Sequence, residues 1–275
     1  SYTLHFDAGV KIDLNKFSLI SFSPVYFNGT KDSLIKVTSS GGGISIIKTL
    51  NLSRVNYTVF NNLNISTHGD YKNTAGVFFY KSPFEMRNTQ ILNAKGEDAL
   101  NAFKSTFYIS TITIKNSFSD SIDVDFSNGQ IVNSSFFNCG NDCVDTSGSK
   151  VTVKNITVDM VKDKAISAGE ASILKISDST INNAEIGFVS KDASTLEASD
   201  NHISNTRLAL AVYQKKSAYE SAKLVSNNNT VSKNNWFYLL EDHAILILDG
   251  VQQSPNSKNI KEKMYGVEFG KKSKQ

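Results

Sequence analysis

Apolar residues recur at a fixed interval of 22 positions: Phe78, Leu100, Ile122, Val144, Ile166, Phe188 and Leu210. A period in the twenties marks a solenoid in which each repeat is one turn of chain. One turn cannot bury its apolar face alone and must stack on its neighbours. The Leu-x-x-Leu-x-Leu-x-x-Asn frame of a leucine-rich repeat is missing. Short β-branched and aromatic runs take its place, such as Phe107 to Ile114 and Val151 to Val158, separated by Asn, Ser, Asp and Gly. That is strand and turn chemistry. The expected fold is all-β: a single-stranded parallel β-helix with ~22-residue turns, right-handed as parallel crossovers almost always are.

The frame runs from about Gly76 to Tyr213 without a linker-like break; the whole chain has only 3 Pro and 16 Gly. One structural domain is expected. Residues 1–75 form an N-terminal cap and irregular first turns, 76–250 the regular β-helix, and 251–275 a basic tail. Trp236, Phe237 and Tyr238 read as the C-terminal plug that a solenoid end requires. The net charge of +3 sits largely in the tail, read as a solvated, flexible terminus rather than a nucleic-acid surface. No apolar run approaches the ~20 residues of a membrane span. The opening Tyr2-Thr-Leu-His-Phe6 has no charged or apolar leader pattern and reads as a strand under way, so a piece of a longer protein is expected. Cys143 shares a repeat position with Ala99, Ser121, Ala165, Gly187 and Ala209, which favours packing for it and Cys139. Whether the two are bridged stays open.

Side chains alternate across a strand, so the columns flanking the apolar one point outward. Ala102, Val124, Thr146, Ala168, Ser190 and Val212 suit the interior of the coil. Asn101, Asp123, Asp145, Ser167, Val189 and Ala211 form one outward column, and Phe103, Asp125, Ser147, Gly169, Lys191 and Tyr213 the other. A second apolar set (Ile109 and Ile114, Ile131 and Phe136, Val153 and Val158) drifts by one residue at Ile176 and Ile181, then Leu196 and Ile203. A changed loop length between strands explains this. The pairs Asn116 and Asn138, Asn133 and Asn155, and Asn183 and Asn205 are expected to stack as amide ladders.

Asp98, Asp120 and Asp142 precede the apolar column in three consecutive turns, and Lys164 takes that place in the fourth. With Asp123, Asp125 and Asp145 they concentrate carboxylates on one face, at strand spacings of ~4.8 Å. At that distance like charges repel by roughly 1 to 3 kcal/mol. The repulsion demands raised pKa values, a bound cation or basic partners. Lys164, Lys191, Lys104 and Arg207 are the candidate partners. Asp98, Asp120 and Asp142 are the candidate Ca²⁺ ligands, with no cofactor strictly required.

Gly140-Asn-Asp-Cys143 and Asp123-Val-Asp125 resemble acidic segments of polygalacturonases, right-handed β-helix hydrolases. The Gly-His-Gly and Arg-x-Lys segments of that family have no counterpart here; Ser167-Ala-Gly-Glu170 stands in their place. A closer resemblance rests on Ser119 to Phe126, Gly140 to Gly148, Lys162 to Glu170, Ile186 to Asp192 and Ala211 to Lys216. These segments are similar to β-helix domains of large bacterial surface proteins in the pectin-lyase-like superfamily, some beside a spore-coat-H-type kinase domain. The resemblance implies the fold and an extracellular, periplasmic or cell-surface place, and assigns no reaction.

The residue kinds on this face suit a polysaccharide or surface glycan, with no nucleic-acid or membrane role and with the chain as a monomeric module tethered to another domain. Asp123, Asp125, Asp145, Lys191 and Tyr213 are the candidate catalytic residues. Lys164, Glu170, Gln214, Lys215 and Lys216 are the candidate substrate contacts. A hydrolase would need carboxyls ~5 to 5.5 Å apart if retaining and ~6.5 to 9.5 Å if inverting. Asp123 with Asp145 falls near the shorter value, and Asp125 with Asp145 nearer the longer. A lyase would use Asp-held Ca²⁺ with Lys191 or Tyr213 as base. An epimerase belongs to the same reading; the alternative is a non-catalytic glycan-binding or structural surface module of a larger bacterial protein.

Overall fold

The computed structural model describes residues 2–266, 268 and 269, and they form a parallel β-solenoid of about 11 turns. Three strand columns line the coil. One is a 12-stranded sheet running from Leu4–Asp7 to Val251–Gln252, parallel throughout except for its last pairing. The other two belong to one 18-stranded sheet, because Thr157–Gly169 and Thr180–Lys191 each run through both columns. The core is a continuous stack of Ile, Val, Leu and Phe inside the coil. Aromatic rings extend the stack where the coil is wide, as in Phe79, Phe84 and Phe107, with ring centroids 3.8 and 5.6 Å apart. Gly129 continues the Phe107 column without a side chain, since a Cβ there would come within 2.5 Å of the Phe107 ring.

The register confirms the apolar column from Leu100 through Ile122, Val144, Ile166 and Phe188 to Leu210. Its first member is corrected. Val77, not Phe78, pairs with Leu100, and Phe78 pairs with Asn101 on the outward side. The turn entering that strand is 23 residues long, one more than those that follow. The turn before it is longer still, since Ile44 pairs with Val77. The excess residues form a hairpin of Thr67–His68 and Tyr71–Lys72 that lies over the face. Insertions of this kind hide the period in the first part of the chain.

The one-residue drift is a loop insertion, as expected. Val153 pairs with Ile176 across a longer loop at Glu170 and Ala171, both at positive φ. A register shift between Val161 and Lys164 takes the residue back, so Ile166 still faces Phe188. Leu196 continues Leu174 rather than Ile176, whose partner is Ala198. The Asn ladders form at Asn138 to Asn116 (2.9 Å) and Asn155 to Asn133 (2.8 Å), while Asn205 donates to Asn182 instead of Asn183. These corner Asn residues have φ between 51° and 57°, a left-handed conformation that Asn tolerates.

A second ladder stands at the corner after each site strand. The backbone N–H groups of Ser82, Ser105, Ser127, Ser149 and Ser172 each donate to the hydroxyl of the serine one turn on, at 2.8 to 3.1 Å. The Ser127 hydroxyl donates in turn to the Ala102 and Asp125 carbonyls. Buried corner amides are thereby satisfied, which fixes where each outward side chain emerges.

At the far end Tyr238 stacks on Leu210 and packs against the core, while Trp236 and Phe237 are half exposed. The chain then folds back. A short helix, Ile260–Tyr265, and Phe269 cover the outward residues Ile186, Val189, Leu208, Ala211 and Leu239. The expected flexible terminus is therefore docked over this part, because the outward column turns apolar after Ser167 and needs a cover. Residues 270–275, the last of the expected tail, lie outside the described residues. Cys139 and Cys143 are buried free thiols, with Ser121 donating to the Cys139 sulfur at 3.1 Å. No helix among the described residues is long and apolar enough to cross a membrane.

Candidate functional site

The outward columns place their acids as the spacing requires. Asn101, Asp123, Asp145 and Ser167 are successive register partners, as are Phe103, Asp125 and Ser147. An open groove of about 420 Å³ runs over them. Asp98, Asp120, Asp123, Asp125 and Asp145 line it with Asn101, Ser147, Phe103 and Phe78, and Lys72, Asn73 and Thr74 of the hairpin side form its wall.

Asn101 is the hub. Its amide donates to Asp123 at 2.9 Å, Asp125 at 3.1 Å and Asp98 at 3.4 Å. Two amide hydrogens thus serve three carboxyls. Its own carbonyl oxygen is buried and has no donor among the described residues. Such an acceptor costs ~1 to 3 kcal/mol until a donor arrives.

The carboxyls are pushed in opposite directions. Burial raises Asp123 well above the ordinary carboxylate value, and the neighbouring Asp98, Asp125 and Asp145 add to it. Burial raises Asp125 too, against the hydrogen bonds from Asn101 and Asp123. Asp120 is pushed up to about 8 by burial and by repulsion from Asp142 and Asp145. Asp98 rises to about 6, chiefly by burial. Asp145 goes the other way: burial would raise it, yet the Lys191 ammonium holds it below the usual range. Lys191 sits 3.4 Å from Asp145 and donates to Ser167 at 2.6 Å, and Ser167 hydrogen-bonds Asp145. The site therefore sets a carboxylate held low by Lys191 against neighbours pushed upward one strand away.

The remaining sequence candidates lie elsewhere. Lys191 is 4% exposed and Tyr213 0%, so neither reaches the groove. The Tyr213 hydroxyl meets that of Tyr265 at 3.3 Å beneath the C-terminal helix. Burial drives the Tyr213 hydroxyl well above its ordinary value. For Lys191 burial acts downward, but Asp145 overrides it and the ammonium is kept. Neither is a base in this position. Lys164 is buried between Asp163 (2.6 Å) and Asp142 (3.3 Å). Lys216 is paired with Glu170, Gln214 donates its side-chain amide to the Tyr219 carbonyl, and the Lys215 ammonium lies over the Tyr265 ring. Arg207 pairs with Glu185, and Lys104 lies over the Phe103 and Phe126 rings.

The proposed calcium ligands do not converge. Asp98 accepts from Thr74, Asp120 from Asn141 and the Asp142 amide, and Asp142 is neutralised by Lys164. No set of three or more Asp, Glu, His or Cys side chains among the described residues is arranged to hold a metal ion. Sequence reasoning missed Asn101, Phe78 and the hairpin. Asn101 was legible as the odd amide in an acidic column; the hairpin lay in the irregular segment.

Residues 75–260 match the family described as the right handed beta helix region. The chain belongs to the right-handed β-helix family. Among solved structures this β-helix is similar to the Agl-KA catalytic domain, with a TM-score of 0.55 and 13% identity over 89% of this chain and 62% of that one. It is also similar to the catalytic domain of a GH87 α-1,3-glucanase in complex with tetrasaccharides (TM-score 0.52, 11% identity, 93% and 64% coverage). An alginate lyase from Paenibacillus sp. aligns at a TM-score of 0.46 and 12% identity, over 88% and 98% of the two chains. The chain thus spans less than two thirds of the first two of these domains. No curated protein matches this β-helix.

Proposed function

We propose that this β-helix hydrolyses glycosidic bonds of a neutral polysaccharide in the acidic groove. One observation carries the reading: Asp123 and Asp145 are register partners in an open groove, and only Asp145 has a lysine against it. Asp145 is the ionised nucleophile. Its carboxylate attacks the anomeric carbon as the glycosidic C–O bond breaks. The proton held by the Asp123–Asp125 pair passes to the departing oxygen. Water then attacks the glycosyl–Asp145 ester and returns a proton to that pair, so the anomeric configuration is retained. Adjacent strands lie ~4.8 Å apart, close to the ~5 to 5.5 Å of retaining enzymes. The unpartnered Asn101 carbonyl takes a substrate hydroxyl.

A neutral substrate follows from the charge of the groove. Its lining offers a polyuronate a single lysine, Lys72, set against Glu97 and the ionised Asp145, so the groove lacks the positive charge that a chain of carboxylates needs. Of the lysines expected at the substrate, Lys164 is spent on a buried pair, Lys216 is paired with Glu170, and Lys215 lies over the Tyr265 ring. The likeness in fold to a GH87 α-1,3-glucanase catalytic domain supports the reading, and the size of such substrates favours action outside the cytoplasm. The test is stereochemical as well as kinetic. Proton NMR of the first products from a soluble neutral glucan should show the anomer of the starting linkage. Inverted product, or unsaturated sugars, would overturn this mechanism.

A further inference from the structure

A second groove, of about 730 Å³, lies N-terminal to the acids on the same face. Its floor is set by the same register. Ile47, Tyr80, Phe103 and Asp125 are consecutive partners in one outward column. Phe78 lines the acidic groove and Tyr80 the second one, with their rings parallel and their centroids 6.4 Å apart. Tyr80 and Phe103 follow at 5.6 Å. The two grooves therefore meet over an aromatic floor. The hairpin walls both: Lys72 faces the acids, His68 and Tyr71 face the second groove, and Tyr71 is anchored by donating to Ser45 at 3.2 Å. Phe17, 78% exposed, forms part of the far side.

Beyond the acids in the other direction the path is closed. After Ser167 the outward column becomes Val189 and Ala211, which lie beneath Ile260, Met264 and Phe269. The groove is open toward the N-terminal end and roofed toward the C-terminal end.

We propose that the second groove is a set of subsites for the same neutral glycan, which runs from the acids over Phe103 and Tyr80 toward Phe17. This rests on the function proposed above and adds direction and length. Sugar rings present apolar faces to aromatic side chains, while His68, Lys48 and the Tyr71 hydroxyl supply polar contacts at the rim. Strands ~4.8 Å apart give the path from Asp125 to Ile47 a length of three strand spacings. A chain of several units is needed to fill it.

The test is calorimetric titration of the full chain with α-1,3-, β-1,3- and β-1,4-linked gluco-oligosaccharides of graded length, from disaccharide to octasaccharide. Affinity for one linkage should climb with length, by about tenfold between the short and long members. Tyr80→Ala should flatten that climb. Phe17→Ala, at an exposed position where folding is not at stake, should flatten it in part. Length-dependent binding without turnover would sink the hydrolase reading and keep the subsites. Turnover or binding that is indifferent to length, or no binding by any member, overturns the subsites.

Discussion

At the scale of single residues, the site is a problem in charge solved by one lysine. Asp145 keeps its charge because Lys191 is buried against it, while burial, with the crowding of carboxylates added to it, pushes Asp123 and Asp125 upward. Asp145→Asn and Asp123→Asn should each lower turnover by about 10²- to 10⁴-fold with the far-ultraviolet spectrum unchanged. Lys191→Met should raise the Asp145 pKa and move the acid limb of the pH–rate profile upward. An unmoved limb would remove Asp145 from that role. The same crowding sets stability against pH. Asp120, at about 8 when folded against an ordinary value of 3.8, binds more protons in the native state between those values. Native stability should therefore fall as pH rises from about 4 to 8, by roughly 1 to 3 kcal/mol after relaxation. Asp120→Asn should abolish most of that slope in urea titrations. Asp145 has the opposite sign, its contribution being present above the usual carboxylate range and lost only as pH falls through its depressed value.

At the scale of elements, the outward columns were legible because a parallel register with constant turn length copies spacing directly into space. That is why Asp123 met Asp145 and Asn138 met Asn116. One failure came where turn length changed: Phe78 was placed inside because one extra residue precedes Leu100. The other has a local cause: the register keeps its 22-residue spacing at Asn205, but the Asn183 amide is turned to Asp159 and Asn205 donates to Asn182. The serine ladder was readable at spacings of 22 and 23, yet serine is so frequent here that its period is masked by the rest. It is testable on its own. Ser127→Ala leaves the Ser105 amide buried without an acceptor and should cost about 1 to 3 kcal/mol by chemical denaturation. A loss below a few tenths would show that water replaces the hydroxyl at that corner.

At the scale of the whole molecule, the coil is a ruler and its coverings decide what the ruler measures. Lys191 and Tyr213 occupy outward positions by alternation, but a segment more than fifty residues downstream covers them. No local pattern reports such a contact. The cover is an apolar one, with Ile260 and Met264 both buried. Met264→Asp should release it, seen as new proteolytic cleavage near residue 260 while the β-sheet signal persists. The coverings also divide the face into an acidic stretch, an aromatic stretch and a roofed stretch. That division sets where along the face a glycan chain could lie relative to the Asp123 and Asp145 pair. The most direct measurement is the release of new reducing ends from neutral glucans and from polyuronates, with Asp145→Asn in parallel. Reducing ends are expected from a neutral glucan and none from polyuronates, with near-complete loss in the variant. Equal release by the variant, or unsaturated products from a polyuronate, would contradict the proposed hydrolysis.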